Sequence, residues 1–577
     1  MIRLQRRASD TGLALPDSLH PLLRRVYQQR KLATAEELDL TLSKLIPPDS
    51  MLGMRAAVDL LLQALQQQSR VLIVSDFDAD GATSCALAIA ALKQFGYQHV
   101  DYIVPNRFEY GYGLTPEIVE LAATKSPDLI ITVDNGISSV DGVRAAQAIG
   151  SKVLITDHHI APNELPSAEA IVNPNQAGCS FSSKAIAGVG VVFYVMLALR
   201  SRLREMAWFR DNNQAEPNMA ELLDLVALGT IADVVPLDHN NRILVAEGLR
   251  RIRGGRARPG IIALLQVAKK NAVNLSTSDL AFGVGPRLNA AGRLDDMTTG
   301  IECLLTDSDS DAHRLALQLD GMNQDRRQIE SEMRDQAFES LANLELDAAD
   351  MPAGLCLFDE RWHQGVVGIL ASRIKEKYHR PVIAFASVEG GEELKGSARS
   401  IPGFHIRDAL DAVATRNPGL VTKFGGHAMA AGLSLARGDF ERFSEAFAAE
   451  AARQLSAAQL QAMVESDGEV SADFMTLEAA QVLRSAGPWG QEFPEPLFDG
   501  KFILRDSRVL ADKHLKMVLS PESEPGKLID AIAFNVDEDA WPAVDASRIE
   551  LVFRLDVNEY RNSLNLQLLV ERILGSE

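Results

Sequence analysis

The sequence predicts an α/β chain: a parallel-sheet domain, a long linker helix, a second α/β domain and a C-terminal β-barrel. Three observations carry this. Apolar β-rich runs end repeatedly in acidic tips and are followed by helix-forming stretches, which is a βα pattern. A later segment repeats its apolar residues at three, four and seven, and the last part of the chain is a series of short strand-like runs.

Residues 1–50 read as a short helical segment, with Arg24, Arg25 and Arg30 among Leu22, Leu23 and Leu32. The main α/β domain is expected over 51–310. Within it, the run 71–74 leads into Ser75-Asp76-Phe77-Asp78-Ala79-Asp80-Gly81, Leu129–Val133 into Asp134-Asn135-Gly136, and 153–155 into Thr156-Asp157-His158-His159. The stretches 82–94, 115–123 and 139–149 have the length and small-residue content of covering helices. Ligands of open α/β sheets bind outside the carboxyl ends of the strands. Asp78, Asp80, Asp134, Asp157, His158 and His159 are therefore expected to converge, and carboxylates crowded together need a raised pKa or a bound cation.

The linker helix is expected over 311–348, with Leu315, Leu319, Met322, Ile329 and Met333 on its apolar stripe. Strands and helices alternate again over 349–452, near whose end stands Lys423-Phe424-Gly425-Gly426-His427. The remainder, 453–577, begins with an Ala/Gln-rich helix and a Gly-Pro turn at 487–490. Strand-like runs follow at 501–504, 515–519, 529–534, 550–555 and 563–570, a spacing that suggests a small barrel.

Composition narrows the class. A 46% hydrophobic content supports real cores, and no stretch has the uninterrupted apolar length of a membrane helix. Arg3, Arg6 and Arg7 precede no apolar signal core, so a cytoplasmic protein is expected. Cys85, Cys179, Cys303 and Cys356 form no CxxC pair, against a disulfide framework or thiolate zinc site. The formal charge of −20 argues against non-specific coating of nucleic acid, but allows a channel where Arg and Lys are concentrated.

Asp76, Asp78 and Asp80 alternate at period two and are expected to share a face of an extended strand tip, with Gly81 permitting a sharp turn. The spacing suits a hard metal; an acidic turn is the plain alternative, as a capping role is for the His pair. Asp233 lies in the apolar segment 229–236, where an unpartnered charge is costly.

The segments SDFDADG, TVDNGIS, TDHH and GTIADVVPL resemble, in order and spacing, the four motifs of the DHH phosphoesterase superfamily. GPRLNAAGR at 285–293, WHQGVVGI at 362–369 and KFGGH at 423–427 are similar to those of its single-strand-specific exonucleases, over almost the whole chain. The resemblance implies a DHH catalytic domain, a DHH-associated substrate-binding domain and an OB-fold. It implies Asp78, Asp80, Asp134, His158 and Asp233 as metal ligands, with Asp134 bridging, and oxygen donors with one imidazole favour Mn²⁺ or Mg²⁺ over zinc. Asp76, Asp157 and His159 would surround them, His159 touching the scissile phosphate and Asp157 orienting an imidazole. Pyrophosphatase-type relatives carry a histidine where this chain has Val74, so one metal site would be weaker.

The implied activity is 5′-to-3′ hydrolysis of single-stranded DNA to mononucleotides by two-metal chemistry, in recombination and repair. A single-strand-binding protein and a RecQ-type helicase are the implied partners of a monomeric enzyme. Ser397, Arg399, Gly426 and His427, with Arg287 and Arg107, are expected to form a pocket for the DNA 5′ end, since glycine amides and arginine forks suit phosphate. Asn289 and Arg293 either touch substrate or satisfy backbone groups. Trp362 reads as packing, with His363 open to the cleft. Arg314, Arg326, Arg327 and Arg334 either line a strand channel or form a solvated face. In the barrel, Phe502, Lys513, His514, Lys516, Phe534, Phe553, Tyr560 and Arg561 mix aromatics with bases as single-strand binding requires, although period two buries about half of them. Two other readings share parts of this pattern: a relative cutting very short oligonucleotides, and a non-catalytic replication scaffold.

Overall fold

The computed structural model describes residues 3–10, 12–106, 110, 113–342, 351–388, 391–511, 513–534, 536, 547–560 and 563–576. Its contacts divide the chain into two units. The larger holds 6–322 and 466–577; the smaller holds 323–465 with the first five residues.

In the larger unit five parallel strands stand in the order Val100–Ile103, Val71–Ser75, Leu129–Val133, Lys152–Thr156, Ala170–Val172. The three central strands are almost wholly apolar because both faces are covered. Val71 and Ile73 pack with helices Met54–Gln67, Ala79–Phe95 and Gly188–Glu205, whereas Leu72 and Val74 pack with Pro116–Ala123 and Val140–Ala148. Register fixes the site. Ser75 pairs with Val133, Val133 with Thr156, and Thr156 with Val172. The next residues, Asp76, Asp134, Asp157 and Asn173, therefore emerge level with one another at the carboxyl edge.

The described residues of 6–50 contain one α-helix, Pro21–Gln28, and three short 3₁₀ turns, less helix than the sequence suggests. Leu22, Leu23 and Val26 are buried. Arg30 and Asp467 form a fully buried bidentate pair at 2.6 and 2.9 Å, tying this segment to the start of the terminal region. The closed barrel runs Phe498–Leu510, His514–Pro521, Ile529–Ala533, Ser563–Ser576, Arg548–Tyr560 around the ring. Its longer strands outrun the apolar patterns because the backbone ladder continues through exposed polar residues such as Arg505 to Arg508, past a bulge between Leu504 and Asp506.

The smaller unit has a five-stranded sheet ordered Lys423–Gly426, Ala430–Ala436, Glu393–Arg399, Val382–Ser387, Leu355–Phe358; only the last pair is parallel. Helices Val367–Tyr378, Ile406–Arg416 and Phe440–Gln454 supply its two apolar cores. Helix Asp309–Ala342 contains the point at which the two units divide. No described helix is long and apolar enough to cross a membrane.

Candidate metal centre

Three strand ends, one helix start and one helix end bring the carboxylates together. Asp76 follows Val71–Ser75 directly. Asp78 caps helix Ala79–Phe95 by accepting the Gly81 N–H at 2.9 Å, and Asp80 lies in its first turn. The period-two reading of these aspartates is thus corrected, because the strand ends at Ser75 and a helix begins at Ala79. Asp76 and Asp78 approach Asp134, whereas Asp80 turns to His158 and Asp233, the latter at the end of helix Leu223–Ala232. A third group joins Asp134, His158 and His159; in each group the donor atoms lie within 4.8 Å of one another.

His158 Nε2 stands 3.1 Å from Asp134 Oδ1 and 3.5 Å from Asp233 Oδ2. Asp134 and His158 therefore each belong to two of the groups, which is the arrangement two neighbouring cations need. The donors are hard oxygens with imidazole nitrogen, and Asp233 Oδ2 is buried without a hydrogen-bond partner among the described residues. The residues fit Mn²⁺ or Mg²⁺.

Electrostatics agree. Burial first, and then the charge of Asp233, pushes the Asp80 carboxyl up to about 7. Burial and Asp78 push Asp233 up to about 7, and burial with the surrounding aspartates raises Asp134 well above the usual range. Burial, followed by the neighbouring His159, lowers His158, which favours the neutral ring a metal requires. His159 behaves oppositely. Burial opposes its charge, but Asp157 Oδ1 at 2.7 Å from Nδ1 overrides it and raises the imidazole to about 9. Asp157 itself is held low despite complete burial by that bond and by the N–H groups of His159 and Ile137.

The loops are locked by residues to which the sequence assigned no role. Asn173 donates to the His159 carbonyl at 2.9 Å, and Asn175 to the His158 carbonyl at 2.5 Å. Asn135 donates to the carbonyls of Val74 and Val133 at 3.1 and 2.9 Å, holding a turn in which Asp134 takes a left-handed φ of 62°. Val234, beside Asp233, is left-handed too, at 61°; such conformations cost roughly 1–3 kcal/mol and persist only where packing imposes them. The N–H groups of Gly188 and Val189, opening helix Gly188–Glu205, donate to Asp80 at 2.6 and 2.9 Å. A Cβ on Gly188 would lie 2.6 Å from Asp134 Oδ1. The Asn-Pro-Asn after a strand and the Gly-Val-Gly at a helix start were the available signals.

Asn289 takes the second of its two expected roles, satisfying a backbone group, and Arg287, expected at the 5′ end, is held by an ion pair. Asn289 Oδ1 accepts the Ala79 N–H at 2.8 Å, inside the aspartate loop. Arg287 is buried, with Nε and Nη2 on Asp320 at 2.8 and 2.7 Å and Nη1 on the Gly283 carbonyl, so each of its three nitrogens has a partner within the fold. Arg293 is half-buried on the same helix, and Arg107 lies outside the described residues. In the smaller unit, Arg399 donates to Ser397 Oγ at 3.0 Å; Gly368, lacking a side chain, lets both approach helix Val367–Tyr378. Ala430 pairs with Arg399, and Gly426 (φ 144°) pairs with Ala431 just before the exposed His427. Ser397, Arg399 and Gly426 thus share one end of the sheet. Trp362 is buried, and His363 is half-buried.

Among the linker arginines, Arg326 is buried against Glu330 at 2.8 Å, Arg314 pairs with Asp311 and Arg334 with Asp335, and Arg327 is exposed. In the barrel Phe502 and Phe553 are fully buried and cannot stack on a base. Phe534 is half-exposed and packs edge-on against His514, with Lys513 exposed and Lys516 near Asp530. The Tyr560 side chain and Arg561 lie outside the described residues.

Comparison with known proteins agrees in every region. Residues 70–230 match the DHH family N-terminal domain, 351–453 the DHHA1 domain and 466–572 the RecJ OB domain. The single-stranded-DNA-specific exonuclease RecJ of Dickeya dadantii is 54% identical over 98% of both chains, and that of Escherichia coli 52% over 99% of both. The crystal structure of RecJ in complex with Mn²⁺ from Thermus thermophilus superimposes with a TM-score of 0.80 at 28% identity, covering 100% of this chain and 80% of that one. Its Mg²⁺ complex gives 0.75 at 27% identity, with 100% and 79% covered. This chain belongs to the RecJ family of the DHH phosphoesterases.

Proposed function

We propose that the protein is a metal-dependent exonuclease that hydrolyses single-stranded DNA from the 5′ end to 5′-mononucleotides. The carrying observation is the convergence of seven acidic and imidazole side chains into overlapping metal-sized groups at the carboxyl edge of the sheet, with Asp157 paired to one of them, His159. The names of its relatives supply the substrate.

Asp78, Asp80, Asp134, His158 and Asp233, with Asp76 close by, would hold two Mn²⁺ or Mg²⁺ ions; the metal complexes of the Thermus relative support that choice. When bound, such ions lower the pKa of water and neutralise charge on the attacking and leaving oxygens. The protein does the rest. His159, kept protonated by Asp157, presents a cation to a phosphate oxygen. Asn135, Asn173 and Asn175 hold the loops so that the carboxylates need not reorganise during reaction. Ser397, Arg399, Gly426 and His427 receive the 5′ end and set where the strand stops. Arg293 and Arg107 remain candidates for the same phosphate, whereas Asn289 serves the aspartate loop.

The setting we assign is cytoplasmic DNA recombination and repair. A single-strand-binding protein and a RecQ-type helicase would supply the strand, and a monomer suffices because one chain provides every ligand. Asp134→Ala should abolish hydrolysis with the circular dichroism spectrum unchanged; substantial turnover by the purified variant would contradict the assignment. Arg399→Ala should impair 5′-phosphorylated ends more than 5′-hydroxyl ones, and an equal loss on both would count against the pocket.

A further inference from the structure

The larger unit contains a second charged concavity built from different residues. It encloses about 480 Å³ between helix His239–Arg253, the turn at 276–278 and the end of helix Leu477–Ser485. Arg253 donates through Nε and Nη2 to the Leu275 carbonyl at 2.8 and 2.6 Å. Arg484 donates through Nη2 to the adjacent Asn274 carbonyl at 2.9 Å. Two guanidiniums are thereby anchored side by side on consecutive peptide groups, both half-buried.

Carbonyls position these cations without cancelling their charge. Among the described residues neither has an ion-pair partner, because the nearby carboxylates are committed elsewhere: Asp279 to Lys270 at 2.8 Å, Glu495 to Arg554 at 2.8 Å, Glu247 to Arg250. Burial, followed by the charge of Arg484, lowers the Arg253 pKa, so the two repel. In a chain of net charge −20, the cavity is lined by three arginines, Arg250, Arg253 and Arg484, and by two carboxylates, Glu247 and Glu495, already paired with Arg250 and Arg554. Like charges held together inside a concave surface call for a counter-ion, and low-dielectric walls focus their potential into the cavity.

We propose that this cavity binds the phosphate group of a nucleotide, with Arg253 and Arg484 as the anion grip and Ser278 at the rim. Guanidinium forks match phosphate oxygens in pairs, and Trp489 and Pro488 give an apolar wall for the attached sugar or base. The volume falls within the roughly 300–1,000 Å³ of small-ligand sites. A free 5′-mononucleotide and an internucleotide phosphate of a bound strand offer the same oxyanion. The site is separate from the metal centre and does not depend on hydrolysis.

The test titrates orthophosphate into the full chain by isothermal calorimetry, at low ionic strength and with chelator present. An Arg399→Ala background keeps the smaller unit from contributing. One saturable site is expected, weakened at least tenfold by Arg253→Gln with Arg484→Gln, and equally by Ser278→Asp, which leaves both carbonyl anchors intact and decides the matter should the double variant unfold. Displacement by deoxyadenosine monophosphate alone identifies a free nucleotide as the source, and displacement by a 5′-hydroxyl oligothymidylate identifies the strand. Displacement by neither, absence of a saturable site, or unchanged affinity in a folded Ser278→Asp protein overturns the proposal.

Discussion

Asn289 Oδ1 accepts the backbone N–H of Ala79 at 2.8 Å, although the two residues are separated by 210 positions. One turn further along its helix, a Cβ on Gly292 would lie 1.7 Å from the Phe77 carbonyl oxygen. Helix Gly285–Leu294 therefore acts as a prop for the loop that carries Asp76, Asp78 and Asp80. Asn289→Ala should cost about 1 kcal/mol of stability, as expected for one lost hydrogen bond. It should lower kcat and weaken manganese binding while leaving KM for a long oligonucleotide nearly unchanged. A selective rise in KM would instead return Asn289 to the substrate.

Gly188 lies directly against a carboxylate of the centre. Any side chain there meets Asp134, and the same residue gives its N–H to Asp80. Gly188→Ala should reduce kcat about 100-fold, the usual effect of displacing a reacting group by about 1 Å. Overpacking should destabilise the fold by only about 1–3 kcal/mol. Thermal unfolding of the variant beside single-turnover kinetics separates the two, and full activity would show that Asp134 can move.

Arg287 and Asp320 form a shielded pair, so removing either partner takes away the other's counter-charge. Each single alanine variant should lose about 3–5 kcal/mol. The double variant should lose no more than the worse single, a coupling that a double-mutant cycle measures. The ratio of rates on 5′-phosphorylated and 5′-hydroxyl strands should not change. A shift in that ratio in Arg287→Ala alone would place Arg287 at the 5′ end after all.

The sheet and its acidic edge were legible because they rest on local rules. Uniformly apolar runs mark doubly covered strands, and a charged residue immediately after such a run marks a strand end. The partition of Asp76, Asp78 and Asp80 was not legible, since it depends on whether the residue after Phe77 caps a helix or extends a strand, and both choices satisfy a spacing of two. The partners of Arg287 and Asn289 were hidden for a related reason. Pattern shows that a polar residue needs a partner but not which one, and Asp320 and Ala79 are reached only through the packing of helices far apart in sequence. Phe502 and Phe553 show the same limit, because closure of the barrel decides which alternate residues face inward.

Metal and protons should compete for the centre, with a sign set by the raised carboxyls. Asp80 and Asp233 titrate near 7 in the folded protein against an ordinary value of 3.8. A group whose folded pKa is raised contributes stability that is complete below its unfolded pKa and is lost as pH rises through the folded value. In chelator the melting temperature should therefore fall as pH rises from the ordinary value of 3.8 to about 7, and level off above it. Manganese replaces the protons as counter-charge, so its stabilising effect should grow over the same interval. Calorimetric scans with and without manganese across this range measure the difference. A gap that stays constant with pH would mean that Asp80 and Asp233 are already ionised without the metal, and the electrostatic account of the centre would fail.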